Sequence, residues 1–425
     1  MRYIWRISLI LVGITSCTGS SNVGTATSGI ASLYNPSEYS LNIDYQVYHI
    51  SDDLTSLYIR LYPSQLLFNQ ANIDAEYRAL VDIHYTLYAL DSIGKVKSVA
   101  DSSRFRIKLG KEDEELSSFF ISKALQIPEG STYLIRFDSR DVQRGTVGLS
   151  HMYIDKRDVY SAQNFSIISR NGYPKFLYYF KTGEVFRIDY RLPHNDSVYL
   201  DFYRSDSLYP RPQVTFTSET RYPLIPDTTL IIPFSDSLLL TLPEEGMYHL
   251  RIDTAFDSGL TLLNLGMDYP RTRTEQSLLD PLFYIATITE YQQLITADNL
   301  KRAVDDFWLR RTNAKDRSRE LIRVYYNRVL YSNLYFTAER EGWKTDRGML
   351  FILFGPPDRI RDDGNMEYWY YISKRQGRII EFVFERQPSN FSNQDLVWKK
   401  NRENMQYWSE AVGAWRSGKA FSLGK

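Results

Sequence analysis

The sequence predicts a mainly β protein with a C-terminal α+β domain: two tandem β-sandwiches, then helices packed on a small antiparallel sheet. Three observations carry this. From about residue 38 to 268, apolar and polar residues alternate with a period of two between turn-type breaks. Tyrosine is abundant, with 33 copies against 7 Met, and Tyr suits a pleated, half-buried surface. Past residue 270 the period lengthens to that of a helix and then returns to two.

The chain of 425 residues has room for about three domains. Its composition, 43% hydrophobic and 24% charged, is that of a globular protein. The net charge is zero, so bulk electrostatics gives no reason to expect a nucleic-acid partner.

Residues 1–16 read as a lipoprotein signal peptide. Arg2 and Arg6 precede the apolar run 7–14, which is too short to span a bilayer as a stable helix. The stretch Ile14-Thr-Ser-Cys17 resembles the bacterial lipobox, which makes Cys17 the lipidation site. Cys17 is the single cysteine, so no intrachain disulfide competes for it. Residues 17–37, small and polar, form a flexible tether.

The first sandwich is placed at 38–158, with strands in "SLNIDYQVYHI", "SLYIRLYPSQLLF", "EYRALVDIHYTLYAL" and "RFRIKLG". The second, at 159–270, repeats the style in "VFRIDYRL", "SVYLDFYRS" and "MYHLRID". Strands at this spacing without intervening helices fit an immunoglobulin-like sandwich. An internal match supports two copies: Tyr133, Arg136 and Asp138 recur as Tyr248, Arg251 and Asp253, each after a Pro/Gly turn.

The last domain is placed at 275–425. Asp280-Pro281 has the form of a helix start, and helices are expected over 281–340. In the longest, Leu321, Tyr325, Val329, Ser332 and Phe336 share one face. A three-stranded meander is expected over 348–387, with strands "MLFILF", "MEYWYYIS" and "GRIIEFVFERQ".

Between helix and meander lies "EGWKTDRGMLFILFGPPDRI". Gly342 reads as a helix stop, Trp343 as a ring buried under the helix, and Thr345 and Asp346 as turn acceptors. Arg347 has Asp346 or Asp358 as its expected partner, Gly348 opens the apolar run, and Gly355-Pro356-Pro357-Asp358 closes it. Residues Gly342-Trp343-Lys344-Thr345-Asp346 resemble the motif that names the GWxTD domain family, and the resemblance covers about 275–400. It implies a secreted or lipid-anchored protein of Bacteroidota or related bacteria, with β-sandwiches ahead of the motif, and supplies no substrate. By the same resemblance, surface lipoproteins of that group tend to carry an acidic run after the Cys. None follows Cys17, which favours the periplasmic face of the outer membrane.

Three readings of the corner are open: a catalytic pair Asp346/Asp358, a binding surface, or a structural joint. Each Asp has an Arg beside it, which keeps both carboxylates ionised, and no His lies in the segment. The five His are scattered over the β region without metal-ligand spacing. No catalytic residue, metal or cofactor is therefore assigned. The leading expectation is a non-enzymatic envelope lipoprotein that docks a protein partner. The alternative is a carbohydrate-binding accessory protein presenting Trp369 and Tyr371 to a glycan. A hydrolase would need an acid pair that the sequence does not locate.

Overall fold

Alternation along one long strand organises the first sandwich. In β3 (Arg78–Leu90) Ala79, Val81, Ile83, Tyr85 and Leu87 point inward and the residues between them outward. The computed structural model describes residues 41–70, 76–191, 197–204, 225–234, 237–312, 314–362, 365–373, 377–387, 389–392 and 395–423. The signal peptide, Cys17 and the tether lie outside them.

With β1 (Asp44–His49), β2 (Leu54–Leu61), β4 (Val96–Gly110), β5 (Phe119–Gln126), β6 (Thr132–Asp141) and β7 (Val147–Asp155), two sheets form. Their strand orders are β1-β2-β5 and β4-β3-β6-β7. Leu57, Ile59 and Leu61 from one sheet and Val81, Ile135 and Phe137 from the other share one core.

The second sandwich has β8 (Phe165–Ser169), β9 (Tyr179–Phe180), β10 (Phe186–Tyr190), β11 (Ser197–Arg204), β12 (Thr228–Pro233), β13 (Ser237–Leu240), β14 (Gly246–Arg251) and β15 (Leu260–Asn264). Its sheets run β13-β10-β8 and β12-β11-β14-β15-β9. With the two-residue β9 set aside, each strand occupies the place of its counterpart in the first sandwich.

The repeated tyrosines have one role. Tyr133 Oη donates back to Pro128 O at 3.1 Å, and Tyr248 Oη donates to Glu244 O at 3.0 Å. Each is a tyrosine corner, pinning the loop before a central strand to that strand. The repeated arginines differ: Arg136 bonds Asp138 two residues on, whereas Arg251 reaches across to Asp201 on β11.

The third unit comprises α1 (Glu275–Leu279), α2 (Ile288–Ile295), α3 (Leu300–Thr312), α4 (Lys315–Phe336), α5 (Asp346–Phe354) and α6 (Arg402–Arg416). They pack on a sheet ordered β16 (Arg359–Asp362), β17 (Met366–Ser373), β18 (Arg378–Arg386), β19 (Leu396–Trp398), antiparallel throughout. The meander therefore starts at 359 and has four strands. "MLFILF", expected as its first strand, is helical. Every residue of α5 is buried, so apolar side chains face protein on all sides and the run carries no period that separates helix from strand.

Polar and aromatic contacts join the units. Gln46 Nε2 donates to Tyr178 Oη (3.1 Å) and Arg191 pairs with Asp52 (3.0 Å) between the sandwiches. His151 and Tyr153 on β7 reach Asp362 on β16, each at 3.3 Å, and Arg386 lies over the Tyr153 ring. Phe391 packs edge-on against Tyr203 and His249 of the second sandwich. Among the described residues no helix is long and apolar enough to cross a membrane.

Candidate functional site

Three backbones meet at the corner between α4, the 342–344 turn and α5, and two glycines let them approach. A Cβ on Gly342 would lie 2.0 Å from Ser332 O, and one on Gly348 would lie 1.9 Å from Gly342 O. Gly342 is thus required by contact with α4. The expected αL helix stop is not its role: α4 ends at Phe336, and Gly342 has no positive φ.

Polar side chains satisfy the backbone left over. Asn333 on α4 accepts from Trp343 N (3.0 Å) through Oδ1 and donates to Pro270 O (3.0 Å) through Nδ2. Thr345 caps α5, its hydroxyl accepting from Gly348 N (3.1 Å) and donating to Gly342 O (2.8 Å). Asp346 Oδ2 accepts from Trp398 N at 2.9 Å, joining the start of α5 to β19. Tyr269, entering from the second sandwich, donates to Asn333 O (3.2 Å) and accepts from Gly342 N (3.3 Å). Burial pushes its phenol well above 10, so it stays protonated.

The far end of α5 is capped as thoroughly. Arg328 donates to Ile352 O and Leu353 O (3.1 and 3.0 Å), Trp415 Nε1 to Leu353 O (3.0 Å), and Tyr371 Oη to Gly355 O (2.8 Å). Burial lowers the Arg328 guanidinium to about 10. Gly355, at φ +82° and ψ −167°, ends the helix in a positive-φ extended conformation that glycine adopts without a Cβ penalty.

Trp343 is 6% exposed and meets Tyr284 edge to face, while Tyr284 Oη donates to Trp343 O at 3.0 Å. Arg347 is buried too, and among the contacts described its ion-pair partner is Glu367, where Asp346 or Asp358 was expected. Its guanidinium lies 3.6 Å from Glu367 Oε2 on β17 and over the Phe336 ring, and Glu367 Oε1 accepts from Trp369 Nε1 at 2.7 Å. Asp358 is exposed and accepts from Ile372 N at 2.7 Å, fixing β16 against β17. Pro357 is buried and Pro356 half-buried. One acid is inside and the other outside, so they do not form a pair across a cleft.

The expected aromatic surface is also inside. Trp369 is fully buried and Tyr371 is 4% exposed, because both point from β17 into the core against Phe336, Phe354 and Phe384. Sequence reasoning did not single out Asn333, Tyr269, Glu367 or Arg328. An Asn in the last turn of a helix, beside the apolar stripe, is a signal that could have found the first.

The histidines have ordinary partners. His49 lies between Thr55 Oγ1 and Asp155 O, and His249 between Thr261 Oγ1 and Asp257 O. His194 lies outside the described residues. Among those described, no group of three or more His, Cys, Asp or Glu is placed to hold a metal ion.

Residues 246–417 match the family model described as the GWxTD domain. The chain carries a GWxTD domain. The match opens at Gly246, the first residue of β14, so the GWxTD unit takes in the last strands of the second sandwich together with Tyr269. No curated protein matches the chain. Among solved structures, a beta-glucuronidase 2 of Bacteroides uniformis covalently bound to cyclophellitol-6-carboxylate aziridine is 18% identical, covering 35% of this chain and 16% of its own, at a TM-score of 0.18. A red sea bream transglutaminase is 7% identical over 50% of this chain and 28% of its own, at 0.20. A Mobiluncus mulieris adhesin is 9% identical over 38% and 86%, at 0.18. The chain thus spans about a sixth of the length of the first of these.

Proposed function

We propose that this protein is a non-enzymatic, lipid-anchored scaffold of the bacterial cell envelope, in which two sandwiches present the GWxTD domain to a protein partner. The observation that carries the reading is the burial of the motif. Trp343, Thr345, Asp346 and Arg347 are each no more than 6% exposed, and the bonds they make are internal. Such residues hold a surface in shape, and a rigid, preorganised surface loses less entropy on docking. The lipobox ending at Cys17 supplies the anchor, and the absence of an acidic run after it favours the periplasmic face of the outer membrane.

In vivo crosslinking of the full chain, followed by purification and mass spectrometry, tests the docking. One envelope protein should be recovered in near-stoichiometric yield. Recovery of the chain alone, with glycan binding on an array, would move the function to carbohydrate recognition. Cys17→Ala tests the anchor: the protein should leave the membrane fraction or accumulate as an unprocessed precursor. Full-strength membrane retention at mature size would refute lipidation.

A further inference from the structure

Away from the corner, α2, α3 and α6 border an open cavity of ≈ 280 Å³ lined by Glu290, Gln293, Leu294, Phe307, Arg310, Arg311 and Arg416. A structural network explains part of it. Arg416 donates to Glu290 (2.5 Å) and to Ile285 O (3.0 Å), and Arg311 to Glu290 (3.1 Å) and Phe307 O (2.7 Å), tying the end of α6 to α2 and α3.

That network leaves a surplus. Three guanidiniums line the cavity against one carboxylate, a difference of 3 − 1 = 2 positive charges. Arg311 is the costly member. Its side chain is 7% exposed, its guanidinium carbon lies over Phe307 at 3.3 Å from the ring centroid, and its buried Nε has no hydrogen-bond partner. Desolvation lowers its guanidinium to about 10 despite the adjacent carboxylate. Glu290 is fully committed: burial raises its carboxyl, but Arg416, Thr287 N and the charge of Arg311 outweigh this and bring it to about 2. Arg310, at the exposed rim, bonds only Asp306 O of its own helix among the contacts described. A desolvated, under-compensated cation is a net cost to the fold, and a bound anion would remove it.

We propose that this cavity binds an oxyanion group, a phosphate or a carboxylate carried by a small ligand, held by Arg310, Arg311 and Arg416 above the Phe307 ring. Planar guanidiniums in a concave, partly desolvated site match the paired oxygens of either group. The inference is independent of the docking role.

Calorimetric titration of the full chain in detergent, with inorganic phosphate and with succinate at matched ionic strength, tests it. Wild type should give saturable binding to at least one anion. Arg310→Gln, which leaves the Glu290 network in place, should weaken it at least about tenfold, the scale of a lost charged hydrogen bond. Arg302→Gln removes the same charge from an exposed position on α3 outside the cavity lining and should leave affinity unchanged. Binding to phosphate alone assigns a phosphate ligand, and binding to succinate alone a carboxylate. No saturable binding to either, or equal weakening in both variants, would overturn the site.

Discussion

Gly342 and Gly348 set the tolerance of the corner more tightly than its charged residues do. Each would place a Cβ within 2.0 Å of a backbone oxygen, and a backbone cannot yield as a flexible side chain can. Gly342→Ala should therefore cost about 1–3 kcal/mol or more, the scale of overpacking. Trp343→Ala should cost about 3–5 kcal/mol, as core aromatic truncations do. Asp346→Ala strands the buried Trp398 N–H and should cost about 1–3 kcal/mol. Denaturant melts of the three variants check this, and an unaltered midpoint for Trp343→Ala would show that the ring is not the plug its burial implies. The motif letters were legible as a turn with a buried Trp and with Thr345 as a turn acceptor, but not as the cap of a helix, because α5 was read as a strand. The partner of Arg347 was not, because Glu367 belongs to a strand whose position only the tertiary fold supplies.

Elements were legible where one face meets water. Strand β3 alternates because its outer face is solvated, and the Tyr133/Tyr248 match marked equivalent corners of two sandwiches. Helix α5 was misread because it has no solvated face to print a period. Helix α6 was left unassigned, although Asn401 caps it and Tyr407, Trp408, Ala411 and Trp415 recur at helical spacing. The sandwiches carry a pH prediction of their own. His49 on β1 is held below its usual 6.5, at about 4, by burial and by the charge of Lys156. Between pH 6.5 and 4 the unfolded chain takes a proton that the folded strand refuses. The stabilisation is thus complete above about 6.5 and is lost as pH falls towards 4. His49→Gln should flatten the stability–pH slope in that window by up to about 1.4 kcal/mol per pH unit. An unchanged slope in urea melts between pH 4 and 7 would count against it.

At the scale of the whole molecule, three cores are joined by contacts both polar and aromatic, and relative motion between such units is the default unless specific bonds hold them. Asp362 makes one such bond, accepting from Tyr153 of the first sandwich through Oδ1, with His151 Nε2 3.3 Å from its Oδ2. Asp362→Ala should uncouple that sandwich from the GWxTD sheet, separating its unfolding from the remainder in calorimetry and raising proteolysis near β7. A single transition of unaltered width would show that the coupling runs elsewhere.

The inward orientation of the GWxTD signature has a bearing on how such proteins can diverge. Residues from Tyr269 to Trp398 are stitched together inside the unit, so a drifting exterior leaves the joint undisturbed. A signature of this kind marks a chassis and is silent about its cargo. Two chains that carry it can therefore present different outer faces, and share ancestry without sharing a partner.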